Sequence, residues 1–580
     1  MSGLINALDN YNPKQIGEKG HIEYGWSDNI QEKILQLSFQ LTRTNDDRIG
    51  RLSIIIYDLL SELKTKIEEG TLFEKEIAKG HLSILYRMIG HTRDIIDGKG
   101  EYKLSYMMVH TWYKIYPSLA QFALKCFFII DKNDIHQYGS WKDFKYFCEY
   151  CKNQGDNMDS PLILYAINLV NEQLKKDYAN MISNSNEISL VAKWVPREKS
   201  SFGWLYQSLA TNYFSEYLTS ANTDERLVKA KLKCKTEYRK LLAGINRSLD
   251  TTQIKQCGGV WQSIDFNKVT SITLTKQKKA FLNLKKNGEI RHPENNDRIR
   301  CAYNFNDHIQ KTLKCEKELK GKRVGMADFT KQAVELLENN GTQVEKDILN
   351  SQWRDNSSQN GMLGKMIGMV DVSGSMEGDP MNVAIALGIR IAEKSILGKR
   401  VMTFSAKPTW VNLDPYPDFV SQVAAVKNAE WGMNTNFYAA LNMILDAIVE
   451  NKMAPEDVQD LILVILSDMQ MDDGDKCNKN ALYDTMKEKY EAAGIRVRGI
   501  PYKPPHILFW NLRSTNGFPT LSNQPNTSMM SGFSPTLLNL FCDQGLNALQ
   551  SCTPWSLLLK SLENERYKIM SSYLDVQLNI

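Results

Sequence analysis

The chain has 580 residues, with 71 Lys and Arg against 67 Asp and Glu, a net charge of +4. That length exceeds what one hydrophobic core commonly supports and predicts two or more domains. At 42% hydrophobic and 24% charged residues the composition is that of an ordinary globular protein, which excludes collagen, long coiled coil and wholesale disorder.

Residues 1–25 are polar, lack the apolar stretch of a secretory signal, and read as a flexible N-terminal segment. No apolar run reaches the roughly 18–20 residues of a membrane span, so no membrane partner is expected. The ten Cys are dispersed, as reduced thiols are, and this predicts an intracellular, cytoplasmic setting. Cys148 and Cys151 form the one close pair. They lie in an aromatic-rich helical stretch without the further ligands that zinc needs.

From Trp26 to Asn356 apolar residues recur at three-to-four spacing. Helices are predicted over Ile30–Leu41, Ile49–Leu63, Leu72–Met88, Leu104–Tyr116, Leu119–Ile130, Trp141–Cys151 and Leu162–Leu174, with short Gly-, Pro-, Asn- or Asp-containing breaks between them. Such succession predicts an all-α, HEAT-like helical-repeat domain over 26–356, although no fixed-period repeat is visible. Within it, Arg226–Arg323 holds 24 Lys and Arg against 9 Asp and Glu, a local excess of +15. The densest cluster is Lys276, Lys278, Lys279, Lys285 and Lys286, with Tyr238, Trp261, Phe266 and Phe281 nearby in sequence. Lysines release counterions from phosphates and aromatic rings stack on unpaired bases, so small or structured RNA is an expected partner. The competing reading is a solvated helix surface paired with the acidic remainder of the chain. Pro196-Arg197-Glu198-Lys199 reads as a structural turn or ion-pair junction.

From Gly361 the pattern changes to strands alternating with helices. Strands are predicted at Met366–Val372, Arg400–Ser405, Leu461–Ser467 and His506–Leu512. Helices are predicted at Met381–Ser395, Phe419–Lys427, Phe437–Val449, Ala481–Ala493 and Pro535–Phe541, with one closing helix over Pro554–Leu574. This alternation predicts a doubly wound, Rossmann-like α/β domain with a parallel sheet over 361–580.

Met369-Val370-Asp371-Val372-Ser373-Gly374-Ser375-Met376 joins a buried strand to a helix. Leu466-Ser467-Asp468 closes another strand, and Gly432-Met433-Asn434-Thr435-Asn436 precedes a helix. Ligands of open α/β sheets bind at the carboxyl ends of the strands. Two carboxylates and three hydroxyls converging there make an all-oxygen set suited to Mg²⁺ or another hard divalent cation. One His, His506, occurs in this domain, which argues against imidazole-rich metal sites and against a serine triad. No Walker loop or Gly-x-Ser-x-Gly elbow is present. A Mg²⁺-dependent phosphatase could use Asp371 as nucleophile, but the haloacid-dehalogenase pattern that this would resemble has a second Asp two residues on, where Ser373 stands. The chain therefore reads as a non-enzymatic binding protein.

The Asp371, Ser373, Ser375, Thr435 and Asp468 segments resemble the metal-ion-dependent adhesion site (MIDAS) of a von Willebrand factor A domain. The resemblance implies that Ser373, Ser375 and Thr435 coordinate Mg²⁺ directly or through water. It implies that Asp371 and Asp468 hold the ion or its waters, and that a partner's Asp or Glu takes the open position. Arg93-Asp94-Ile95-Ile96-Asp97-Gly98-Lys99-Gly100-Glu101, Tyr138-Gly139-Ser140-Trp141-Lys142-Asp143 and Ala192–Ser200 resemble the TROVE (Ro autoantigen-like) arrangement, a ring of helical repeats joined to such a domain that binds small or misfolded RNA. The chain is most similar to a domain-of-unknown-function family of the same architecture, seen in plants, fungi and large DNA viruses. The Lys- and Asn-rich usage suits the AT-rich genome of a large virus, which would place the protein in host cytoplasm or virion. The expectation is an RNA-binding, ribonucleoprotein-type scaffold with a Mg²⁺-dependent ligand-binding domain. Its alternative is a metal-dependent protein scaffold without RNA.

Overall fold

The computed structural model describes residues 14–128, 136–185, 187–405, 407–429, 436–470, 482–542 and 551–578. The described residues open on a short antiparallel hairpin, β1 (Lys14–Ile16) and β2 (Ile22–Tyr24). Helices follow at Ile30–Gln40, Asp46–Glu69, Leu72–Arg93, Tyr102–Tyr113, Pro117–Phe128, Asp143–Asn153 and Pro161–Ile182. The helix Asp46–Glu69 shows why. Ile49, Leu52, Ile56, Leu59, Leu60 and Leu63 are all buried on one stripe, Asn45 caps Arg48 N–H, and Asp46 and Asp47 lie in the first turn, where they suit the helix dipole. The next helix starts on a Thr71–Glu74 capping box. The Asp46–Glu69 and Leu72–Arg93 helices pack on each other, as do Tyr102–Tyr113 with Pro117–Phe128 and Asp143–Asn153 with Pro161–Ile182. Among the described residues no helix is long and apolar enough to cross a membrane.

The C-terminal part is built on a mixed six-stranded sheet: β3 (Met366–Asp371), β4 (Arg400–Phe404), β5 (Thr409–Asn412), β6 (Ile462–Ser467), β7 (His506–Asn511) and β8 (Thr527–Ser531). The order is β5-β4-β3-β6-β7-β8. All pairings are parallel except β4–β5. Alternate side chains divide between two layers. Val370, Val464, Leu466, Leu508 and Trp510 join the core under the helices Asp379–Lys394 and Phe419–Lys427. Ile367, Met369, Leu463, Ile465, Ile507 and Phe509 join the opposite core, under Phe437–Glu450 and Leu482–Arg498.

Four features differ from the sequence reading. The edge strand β5 runs antiparallel, and neither β5 nor β8 was expected. The helices Met326–Glu338 and Gln343–Ser357, read as part of the helical-repeat region, pack on Asp379–Lys394 and Phe419–Lys427 of the α/β part. Trp353 stacks on Phe419 with ring centroids 3.9 Å apart, and the buried Arg390 binds Asn356 Oδ1 at 3.1 Å and Asn360 Oδ1 at 2.7 Å. The hairpin at 14–24 lies in the stretch read as flexible. Its order comes from distant chain: Tyr24 and Phe518 exchange backbone hydrogen bonds of 2.9 and 3.0 Å. The closing helix is two, Pro554–Leu562 and Lys568–Gln577. It breaks at Asn564, whose Oδ1 accepts from Arg566 N–H at 3.0 Å, while the Arg566 side chain turns to Asp94 at 2.7 and 2.9 Å. The two segments pack on Leu72–Arg93, the first on β8 and the second on Pro117–Phe128. Tyr573 stacks on Phe122 at 3.8 Å. One buried apolar cluster therefore runs from the helical region through these closing helices to one face of the sheet.

Candidate functional site

The sheet reverses its direction of growth between β3 and β6. The chain moves from β3 outward to β5, then restarts at β6 and moves outward to β8. Open α/β sheets bind ligands in the crevice at the carboxyl ends of two such strands. Asp371 is the last residue of β3, and Asp468 directly follows the last residue of β6.

Both carboxylates are wholly buried. Asp371 Oδ1 accepts from the Ser373 N–H at 2.9 Å, and Asp371 Oδ2 accepts from the Ser467 hydroxyl at 2.6 Å. Ser373 Oγ and the half-buried Ser375 Oγ are 3.1 Å apart. Asp468 Oδ1 accepts from Gln470 N–H at 3.1 Å, and Asp468 Oδ2 is 2.9 Å from Arg513 Nε and 2.7 Å from Arg513 Nη2. Burial, reinforced by the charge of Asp468, pushes the Asp371 carboxyl up to about 6 against the hydrogen bonds from Ser467 and Ser373. Asp468 thus has a cationic partner, whereas Asp371 is met by the neutral donors Ser373 N–H and Ser467 Oγ. Two carboxylates and two hydroxyls form an oxygen-only set that fits a hard cation better than a soft one. Among the described residues no three His, Cys, Asp or Glu side chains gather at one point, so such an ion would depend on the hydroxyls.

Thr435 lies outside the described residues. Its neighbour Asn436 donates its N–H to Ser405 O just beyond β4 at 2.8 Å and caps the helix Phe437–Glu450. His506 is the buried first residue of β7, with Nε2 2.9 Å from Ser528 Oγ. Ser467, Gln470 and Arg513 were given no role from sequence. Arg513 is 45 residues from Asp468 and belongs to no motif.

The basic cluster is divided. Lys278 Nζ reaches Gln332 Oε1 at 3.0 Å, Lys279 lies 3.5 Å from Glu345 and Lys285 lies 2.9 Å from Glu289. Burial lowers the Lys278 pKa, with Glu345 and Glu335 opposing. Lys278, Lys279, Lys285 and Lys286 line a cleft of about 260 Å³ that also contains Glu335 and Glu345. Lys276 and Lys286 are exposed and make no ion pair among the described residues. Upstream, Lys233 covers the Tyr217 ring at 3.9 Å, and Lys235 lies 3.7 Å from Glu198 of the Pro196–Lys199 turn.

The first two segments resembling TROVE proteins meet in one buried network. Arg93 holds Asp143 by two bonds of 2.9 and 2.6 Å, Tyr106 donates to the same carboxylate, and Asp94 takes Arg566. Cys148 and Cys151 are buried, and burial pushes both thiols well up.

Residues 365–566 match a family model described as Domain of unknown function (DUF7788), and residues 152–291 match Domain of unknown function (DUF2828). Both parts of the chain have uncharacterised kin. Over 514 residues, 84% of this chain and 80% of the relative, the sequence is 28% identical to an uncharacterised protein of Acanthamoeba polyphaga mimivirus. The similarity therefore extends to a large DNA virus. The first match spans β3 to β8 with both carboxylates, and the second ends just past Lys286.

Proposed function

We propose that this chain is a non-catalytic binding protein of ribonucleoprotein type. Its α/β part would take up Mg²⁺ or another hard divalent cation at Asp371, Ser373, Ser375 and Asp468, with Thr435 completing the set. A partner's carboxylate would bind through that ion, and the helical part would bind RNA. The observation that carries the metal reading is the buried Asp371 carboxylate, met by neutral donors and placed beside Asp468 at the switch point of the sheet. Likeness to the adhesion site of von Willebrand factor A domains supports it.

The roles of the residues follow from their bonds. Ser467 and the Ser373 N–H fix the Asp371 carboxylate. The paired hydroxyls of Ser373 and Ser375 offer neutral oxygens, so the site keeps net attraction for an incoming carboxylate. Arg513 offsets the charge of Asp468. The ion would supply an open coordination position for the partner's oxygen. The RNA reading is supported by the +15 excess of Arg226–Arg323 and by the exposure of Lys276 and Lys286.

Titration calorimetry of the full chain with Mg²⁺ tests the metal reading. One saturable site is expected, abolished in Asp371→Ala. Equal heats from wild type and variant, or no binding by either, would overturn it.

A further inference from the structure

Some lysines on the helical part are matched to carboxylates. Lys64 pairs with Glu68, Lys66 with Glu62, Lys79 with Glu76 and Lys103 with Asp46. One face gathers several lysines on neighbouring aromatic rings. Lys142, Lys145 and Lys152 lie on or just before the helix Asp143–Asn153, and Lys193 lies on Val191–Trp194. None of the four makes an ion pair among the described residues. They stand over aromatic rings instead. Lys145 Nζ is 5.3 Å from the Tyr146 ring centroid, 5.2 Å from Trp194 and 5.4 Å from Phe202. Lys142 Nζ is 5.0 Å from Tyr146, and Lys152 Nζ is 4.8 Å from Trp204. Tyr146 and Phe202 meet edge to face at 5.5 Å. All four rings are partly exposed. The nearby acids are Glu149, whose charge acts on Lys145 and Tyr146, and Asp143, whose charge acts on Lys142 but which is itself held by Arg93.

We infer that this face binds a single-stranded nucleic acid, its bases stacked on Tyr146, Trp194 and Phe202 and its phosphates met by Lys142, Lys145 and Lys152. The inference rests on the RNA reading above but assigns it to a surface largely outside the basic segment 226–323.

A base stacked on an aromatic side chain is held more strongly than a lysine ammonium over an exposed ring. A base therefore displaces the ammonium from the ring, and the flexible lysine stem swings the freed charge to the adjoining phosphate. A duplex hides its base faces and cannot make this exchange. Burial also lowers the pKa of Lys142, Lys145 and Lys193, a penalty that a bound anion relieves. The like charge of Lys276, at the exposed end of the basic cluster, is among the influences on Lys142. An acidic peptide would be met by the lysines but gains nothing from the negative ring faces.

The test is fluorescence anisotropy of the full chain with labelled single-stranded RNA, the same sequence as single-stranded DNA, and blunt RNA duplex, each at two salt concentrations. Tyr146→Leu with Phe202→Leu keeps every lysine and apolar bulk. It is expected to weaken single-strand binding at least tenfold while changing duplex binding less. Lys142→Gln, Lys145→Gln and Lys152→Gln together should reduce the slope of log affinity against log salt by about 2. Unchanged thermal midpoints identify both variants as folded. Preference for RNA or equal binding of the two single strands supports the face, with RNA or either strand as the ligand. Preference for duplex overturns it, as do folded variants that bind single strands like wild type. If binding survives these variants and is lost in Lys276→Ala with Lys278→Ala, Lys279→Ala, Lys285→Ala and Lys286→Ala, RNA binding stands and the face falls. No retention of RNA by wild type at low salt overturns both.

Discussion

Lys99 is wholly buried where the helical part meets β8. Its ammonium donates to Ser38 O at 2.6 Å, Leu41 O at 3.1 Å and Ser531 Oγ at 2.7 Å. The two carbonyls lie at the C-terminal end of the helix Ile30–Gln40, where a positive charge is favoured. Burial nevertheless lowers the lysine to about 7, with Glu101 opposing. Between that value and the ordinary lysine pKa of about 10.4, the unfolded chain holds a proton that the native chain lacks. Native stability from this group therefore rises with pH across that window and is flat below it. Lys99→Met is expected to remove the slope and to lower stability at pH 6.5 by about 1–3 kcal/mol, through unsatisfied carbonyls. Urea unfolding at pH 6.5 and 9 measures both effects, and a variant that keeps the wild-type pH slope would contradict the assignment. Asp371 and Asp468 were legible in the sequence because each closes an apolar run that reads as a buried strand. The Ser467 bond to Asp371 spans 96 residues, and no periodicity or spacing encodes a pairing of that kind.

At the scale of elements, the position of Asp371 depends on how closely one helix approaches β3. Gly388, in the helix Asp379–Lys394, faces Gly368 of β3, and a Cβ on Gly388 would lie 2.5 Å from Val370 Cγ2. The contact is against a buried strand side chain one residue from Asp371, so the strand cannot give way freely. Gly388→Ala is expected to cost about 1–3 kcal/mol, as overpacking does. It should appear as a lower urea midpoint with an unchanged m-value, and an unaltered midpoint would show that the approach is looser than the distance implies. The main helices and the four central strands were legible because each carries its own period: three to four along Asp46–Glu69, or a continuous apolar run as in Leu461–Leu466. β8 was not. Thr527-Ser528-Met529-Met530-Ser531 has no distinctive pattern, and its burial comes from β7 and from helices at both ends of the chain. β5 is four residues at an edge, with Trp410 exposed. The break in the closing helix follows from the pull of Asp94 on Arg566, a contact across 472 residues.

Across the whole molecule, the α/β part does not close on its own. Its sheet is covered in part by the helix Ile30–Gln40, and the helices Met326–Glu338 and Gln343–Ser357 pack on its own helices. The apolar cluster that lines one face continues into the helical part. Calorimetry of the full chain is expected to show one cooperative transition. Residues 361–580 expressed alone should lack a sharp transition and bind hydrophobic dye. A fragment that unfolds sharply and reversibly would show the two parts to be separable. The net charge of +4 acquires structure at this scale too. It is the sum of +15 over Arg226–Arg323, −4 over Gly361–Ile580 and −7 elsewhere, and part of the excess is met by acids from outside the basic segment, as in Lys235–Glu198 and Lys279–Glu345.

The helix Ile30–Gln40 bears directly on how the chain is made. Glu32 accepts from the Ser522 N–H at 2.9 Å, and the two residues are 490 positions apart. At the usual pace of about 5–20 residues per second, that separation is roughly 25–100 s of synthesis. For this interval Glu32 and the β8-facing side of its helix are without their partners, and a buried acid cannot settle in an apolar site without its donor. Completion of the fold is therefore tied to synthesis of the chain as far as Ser522 and beyond. A chain stalled before Ser522 presents an unfinished apolar surface, the kind of surface that chaperones recognise.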